Sequence, residues 1–164
     1  MIWLLYNVLF IIGFALVMPY YLMRMRRRGG YAQNFSQRFA VYDAEVRRSL
    51  ADKPRIWIHA VSVGEVFVAL KVMDEWRLRR PDIRYVLTTT TSTGHAIAEK
   101  AIKSQDVLLY FPMDFPWIVR RALNAIRPQA IILVEMELWP NLVRLSKKRG
   151  IPIVLINGRI SDHS

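Results

Sequence analysis

The sequence of 164 residues contains no cysteine. Disulfides, Cys-ligated zinc and iron–sulfur sites are thereby excluded, and the lack of disulfides fits a reducing, cytoplasmic compartment. Acid is scarce: 13 Asp and Glu stand against 24 Lys and Arg, a formal net charge of +11. A charge of that sign favours polyanions (nucleic acid, anionic lipid or phosphorylated substrates) without choosing among them. The common nucleotide and hydrolase signatures are missing as well. No G-x-G-x-x-G follows the first strand-like run, no G-x-x-x-x-G-K-[ST] occurs, and there is no G-x-S-x-G elbow. His59 and His95 are lone imidazoles, and no His/Asp/Glu spacing makes a convincing metal site, so no metal is expected.

Charge of either sign is absent from residues 1–23, "MIWLLYNVLFIIGFALVMPYYLM". About 20 apolar residues suffice to cross a bilayer as a helix. Trp3 and Tyr6 near one end, and Tyr20 and Tyr21 near the other, sit where aromatic belts form. "RMRRR" at 24–28 follows directly, and basic residues flanking a span mark its cytoplasmic side. A cleaved signal peptide would carry its positive charge before the apolar run and a small-residue cleavage site after it. The expectation is a retained single-pass anchor with the body of the protein in the cytoplasm.

Residues 24–54 read as a basic juxtamembrane segment. "GGYAQN" breaks the first helix, and Phe35, Phe39, Tyr42, Val46 and Leu50 then recur at the period of one amphipathic helix. With Arg38, Arg47 and Arg48 that stripe has two readings: it lies on an anionic membrane surface, or it packs on the domain that follows.

From Arg55 a rhythm sets in. "RIWIHAV", "IRYVLTTT", "DVLLYF", "QAIILVE" and "IPIVLIN" are strand-like, and helix-like stretches of a dozen or so residues separate them. Pro81, Pro128, Gly150 and Pro152 fall at the returns from helix to strand. Strand runs with little polar alternation imply a parallel sheet covered on both faces. The predicted fold is therefore α/β: a doubly wound, five-stranded, Rossmann-like sheet over 55–164, behind one transmembrane helix.

In such sheets ligands bind outside the carboxyl ends of the strands. The five strand-to-helix junctions read "SVGE", "TTTTSTG", "PMDFP", "EMELWPN" and "NGRIS". Acids, hydroxyls, an Arg and glycines thus gather on one edge, while the opposite edge carries ordinary punctuation. Ser62 and Glu65 form the S-x-x-E of a helix capping box, or Glu65 is a carboxylate aimed at a substrate. Gly64 is not needed for capping and lets another molecule approach the backbone. Thr91, Thr93 and Gly94 surround a helix start, with Ser92 or Thr93 as its expected N-cap. Asp114 is either an N-cap for the helix near Phe115 or a ligand group. Glu135 and Glu137 end an apolar strand, where a carboxylate is costly unless used.

"WIHAVSVGEV", "TTTTSTG", "VEMELWPNL" and "NGRIS", in that order behind an apolar anchor, resemble the N-terminal half of bacterial 3-deoxy-D-manno-octulosonic acid (Kdo) transferases. "RGGYAQNFSQRFAVY" is similar to that family's juxtamembrane segment. The resemblance implies one half of a GT-B glycosyltransferase, which moves Kdo from CMP-Kdo to a lipid A precursor at the inner face of the inner membrane, without a metal cofactor. It makes Glu65 the general base and Glu135 a stabiliser of the transition state. The family's closing pattern matches at Asn157, Arg159, Ser161 and Ser164, with Gly158 in place of Ala. Ser62, Gly64, Thr91, Thr93, Gly94 and Asp114 join these as expected acceptor-binding residues. The family's second, donor-binding domain is expected to be absent, leaving this chain incomplete as an enzyme. A rival reading is a non-catalytic, membrane-anchored module for an anionic lipid or a partner protein. Nucleic acid is not expected, because the basic residues cluster beside the span.

Overall fold

The structure is a computed structural model that describes residues 2–28, 34–135 and 139–156. The chain divides into two compact units, Met1–Phe35 and Ser36–Ser164.

The first unit is built on helix α1, Ile2–Arg28. It is long and apolar enough over Trp3–Tyr20 to cross a membrane, and none of that window is buried. Asn7, a polar group inside the window, donates its side-chain amide back to the Trp3 carbonyl at 2.7 Å. An i→i−4 bond of this kind satisfies a donor that hydrocarbon could not.

The second unit holds a sheet of five parallel strands in the order β3-β2-β1-β4-β5. The strands are β1 Arg55–Ala60, β2 Tyr85–Thr89, β3 Val107–Tyr110, β4 Pro128–Val134 and β5 Ile153–Ile156. Between them run α3 Val63–Arg79, α4 Ser92–Ala101, α5 Pro116–Ile126 and α6 Pro140–Lys148. The expected fold is the observed one. Because side chains alternate across a strand, Ile58, Ala60, Tyr85, Leu87, Ile132 and Val134 face one way. They form one core with Val66, Ala69 and Met73 of α3 and Ala98 of α4. The alternate residues Trp57, Val86, Ile131 and Leu133 are buried on the opposite face, and α5 adds Ile118, Val119, Ala122, Leu123 and Ile126.

The segment before β1 differs from the single amphipathic helix expected. A short 3-10 helix, Phe35–Phe39, ends at Ala40, whose φ of 54° lies in the left-handed region. Helix α2, Ala44–Asp52, restarts behind an N-cap at Asp43, whose carboxylate accepts from Val46 N–H at 2.8 Å. One left-handed residue is enough to break a helix and redirect the chain. Tyr42 and Leu50 of the apolar stripe are buried, which favours packing on the domain over a membrane surface. Gln37 Oε1 accepts from Tyr110 N–H at 3.0 Å, and Met113 N–H donates to the Arg38 carbonyl at 2.8 Å. These bonds cover the free edge of β3, which would otherwise offer unpaired N–H and C=O groups.

The amino edge of the sheet is closed by an ionic network. Asp106 accepts from Tyr85 N–H at 2.9 Å and pairs with Arg77. Arg55 is buried and donates to the carbonyls of Ser49 and Gln105, both at 2.8 Å. Burial lowers the Arg55 guanidinium from its ordinary range and raises the Asp106 carboxyl.

Candidate functional site

Sheet order locates the site first. The chain runs outward from β1 to β2 and β3, then returns to place β4 on the other side of β1. A crevice opens at such a switch point, outside the carboxyl ends of the two strands that flank it. The junction after β1 carries Ser62, Gly64 and Glu65, and the junction after β4 carries Glu135.

Glu65 is 4% exposed. Its Oε2 accepts from Val61 N–H at 2.8 Å and its Oε1 from Ser62 N–H at 3.1 Å. Ser62 Oγ accepts from Glu65 N–H at 3.3 Å, so the capping box is complete. The carboxylate is turned onto the backbone of its own helix start. Each oxygen takes one donor, and an ionised carboxylate has about four acceptor positions. Gly64 differs: a Cβ there would meet nothing nearer than Ser62 Oγ at 3.9 Å. Among the described residues, packing therefore gives no reason for a glycine in this first turn, and Gly64 is exposed.

Glu135 has φ 69° and donates its N–H to the Ile156 carbonyl at 2.9 Å. A left-handed glutamate costs on the order of 1–2 kcal/mol relative to ordinary backbone. Residues held in such conformations cluster at functional sites. Glu137, Asn157, Arg159, Ser161 and Ser164 lie outside the described residues.

Thr91 is the N-cap of α4, one or two residues before the expected position. Its Oγ1 accepts from Gly94 N–H at 3.1 Å and donates to the Val61 carbonyl at 3.2 Å. That bond ties the β2–α4 turn to the β1–α3 turn. A Cβ on Gly94 would lie 2.9 Å from Thr91 Oγ1 and 3.4 Å from a Val66 methyl. The close approach permitted by Gly94 is thus to its own neighbours. Thr93 is exposed beside it.

Asp114 does not cap α5, whose N-cap Phe115 makes no side-chain bond. It is fully buried and caps α6 across space, accepting from Asn141 N–H at 2.8 Å and Leu142 N–H at 2.9 Å. Helix α6 starts at Trp139-Pro140, which offers no capping side chain of its own. The carboxylate supplies that cap from 27 residues away.

Three residues have surroundings that the sequence alone does not give. His59 is 2% exposed and stacks on Phe111 at 3.7 Å between ring centres. Its Nδ1 lies 3.1 Å from the Thr88 carbonyl, which can only accept, so Nδ1 carries the proton. Burial pushes the imidazole down to about 3, against the Thr88 bond, which raises it. His59 is therefore neutral at any working pH and is no general acid. Trp139 lies edge-on to it at 6.0 Å. Arg38, which the sequence left either on a membrane surface or packed on the following domain, is 7% exposed and sits at the ends of β2 and β3. No sequence period reveals that position, because Ala40 breaks the helix on which it would have been placed. Among the described residues no three His, Asp or Glu side chains gather to hold a metal ion.

Residues 33–164 match the sequence model of a family described as 3-deoxy-D-manno-octulosonic-acid transferase (kdotransferase). A 3-deoxy-D-manno-octulosonic acid transferase of Chlamydia trachomatis serovar D is 28% identical over 161 residues, covering 98% of this chain and 37% of the relative. One from Bordetella pertussis is 34% identical over 147 residues, covering 86% of this chain and 33% of the relative. A bifunctional glycosyltransferase/methyltransferase of Fusobacterium nucleatum is 32% identical over 160 residues, 97% of this chain and 23% of the relative. The chain spans about a quarter to two fifths of the length of these curated relatives.

Proposed function

Because the chain belongs to the 3-deoxy-D-manno-octulosonic acid transferase family, we propose that it is the acceptor-binding half of an enzyme that moves Kdo from CMP-Kdo to a lipid A precursor. The observation that carries this reading is the placement of Glu65 and Glu135 on the two junctions that flank the switch point between β1 and β4. The donor-binding half corresponds to the part of the relatives that this chain does not span. Helix α1 anchors the protein in the inner membrane, and the basic run at 24–28 keeps the sheet unit on the cytoplasmic face. No metal is assigned a part.

In this reading an acceptor hydroxyl enters over Gly64 and gives its proton to the Glu65 carboxylate as its oxygen attacks the anomeric carbon of Kdo. The bond to CMP breaks with its electron pair on the phosphate oxygen, and a direct displacement of this kind inverts the anomeric centre. General-base help of this kind contributes ~10²–10⁴ in rate. The two backbone donors fix the carboxylate's position and leave a lone pair on each oxygen for the acceptor. The carboxylate of Glu135 offsets positive charge developing at the anomeric carbon. The remaining acceptor contacts fall to Ser62, Thr91, Thr93 and the 157–164 segment with Asn157, Arg159, Ser161 and Ser164. Gly94 and Asp114 serve indirectly, by shaping the α4 and α6 starts.

The same bonds that position Glu65 also cap α3, and Glu65→Gln separates the two roles. A glutamine keeps one acceptor oxygen and turns its amide NH2 toward the other backbone N–H, so the capping loss is about 1–3 kcal/mol. In the full-length transferase the expected result is Kdo transfer reduced by ~10²-fold or more, against a melting temperature lowered by no more than about ten degrees. Transfer that falls only in proportion to the folded fraction would leave Glu65 as a cap and overturn the base assignment.

A further inference from the structure

The carboxyl edge holds a buried cation, Arg38, with no acid paired to it among the described residues. The ion pairs among the described residues are made by Arg77, Arg80 and Lys103, and none involves Arg38. Arg38 Nη2 donates to the Thr90 carbonyl at 2.7 Å, and the guanidinium carbon lies 4.4 Å from the centre of the Tyr110 ring. Tyr110 also stacks with His95 at 4.1 Å, and His95 Nδ1 lies 3.0 Å from Thr89 Oγ1.

A carbonyl dipole and a ring face are weaker partners for a desolvated guanidinium than an oxyanion is. Removing a cation from water costs several kcal/mol unless a counter-charge restores it. Thr90 adds an unsatisfied group: its Oγ1 is buried with no hydrogen-bond partner among the described residues. The two groups are joined to Glu65 by a short path. Thr90 accepts from Arg38, its neighbour Thr91 donates to the Val61 carbonyl, and Val61 N–H donates to Glu65. A cation, an orphaned hydroxyl and the carboxylate therefore lie along one side of the carboxyl edge, over β1 and β2.

We propose that Arg38, with the Thr90 hydroxyl beside it, binds a phosphate monoester carried by the sugar acceptor and so holds the acceptor hydroxyl near Glu65. The inference rests on the reading of this chain as an acceptor-binding half. The planar fork of Arg38 gives two parallel N–H bonds to one phosphate, which a lysine cannot reproduce.

The 164-residue chain, reconstituted in phosphatidylcholine nanodiscs, is titrated with a bis-phosphorylated glucosamine-disaccharide lipid and with its dephosphorylated form. Wild type is expected to favour the phosphorylated lipid by about tenfold or more. Arg38→Ala should abolish that preference without weakening the dephosphorylated lipid. Arg38→Lys should retain part of it, and Thr90→Val should lose a few-fold at unchanged melting temperature. These two variants keep the test open if Arg38→Ala fails to fold. Inorganic phosphate in competition separates the sources. Displacement of the lipid shows that a free oxyanion suffices, and failure to displace shows that the phosphate must be borne by the sugar; either result supports the site. Arg38 variants that bind both lipids as wild type does, or that weaken both equally, overturn the proposal and leave Arg38 a staple for residues 36–43. A wild-type chain that binds neither lipid would instead sink the acceptor-half reading. Equal binding of both lipids would sink only the Arg38 assignment.

Discussion

The two edges of one sheet treat charge in opposite ways. At the amino edge, Asp106 and Arg55 are buried with their partners, the partly buried Arg77 among them, and every bond serves to close the ends of β1, β2 and β3. At the carboxyl edge, Arg38 is buried and makes no ion pair among the described residues, Glu135 holds a left-handed backbone, and Gly64 is exposed. The first edge is what folding alone would select. The second carries features that folding alone does not explain.

Breaking the amino edge should be the most damaging. Asp106→Ala removes the acceptor for Tyr85 N–H and leaves the Arg77 cation only its 3.5 Å contact with the exposed Asp74. Removing one partner of a buried pair costs about 3–5 kcal/mol, a large share of the ~5–15 kcal/mol that holds a domain together. Urea unfolding in detergent micelles should show that loss. A cost under about 1 kcal/mol would mean that the two edges do not differ in the way described.

Acid should probe the sheet interior next. An imidazole in the unfolded chain takes a proton below its ordinary 6.5, but the buried ring of His59 does so only near 3. The stability that depends on the neutral ring is therefore complete above pH 6.5 and is lost as the pH falls from 6.5 toward 3. At about pH 4.5 the loss should reach roughly 2–3 kcal/mol. Comparing His59→Gln with wild type across that range isolates it, because the variant's acid limb should be flatter by about the same amount. Parallel acid limbs would show that His59 is not buried as described.

The two glycines sharpen the comparison at smaller cost. Gly94→Ala drives a methyl into Thr91 Oγ1 and Val66 and should destabilise by about 1–3 kcal/mol. Gly64→Ala meets nothing closer than 3.9 Å and should stabilise by up to about 1 kcal/mol, while weakening any ligand that lies on the helix start. Equal effects from the two substitutions would erase the distinction between a glycine kept for packing and one kept for access.

Much of the sheet was legible because β1 to β5 read as apolar runs without polar alternation, and Pro and Gly marked the returns. The capping box was legible because both of its partners lie within four residues. What was hidden came from contacts distant in sequence. Asp114 looked like a cap for the helix beside it, and its true partner, the start of α6, could be found only once the fold brought them together. Residues 35–50 kept a helical period, but Ala40 turned left-handed so that Gln37 and Arg38 could meet β3 and β2. The role of Gly94 depended on Thr91 and Val66, and the reach of Arg38 depended on Thr90 and Tyr110. Local pattern carried the elements and the edge on which the polar residues collect. It did not carry which of those residues face inward.

Glu135→Gly bears most directly on the claim that the carboxyl edge is shaped for a ligand. Glycine accepts φ 69° freely, so relief of the backbone should leave the melting temperature equal to or above that of wild type, by up to about 1 kcal/mol. Kdo transfer by the full-length enzyme should fall by ~10²-fold, the scale of losing one group that stabilises transition-state charge. A variant that melts several degrees lower and transfers Kdo at the wild-type rate would contradict the account.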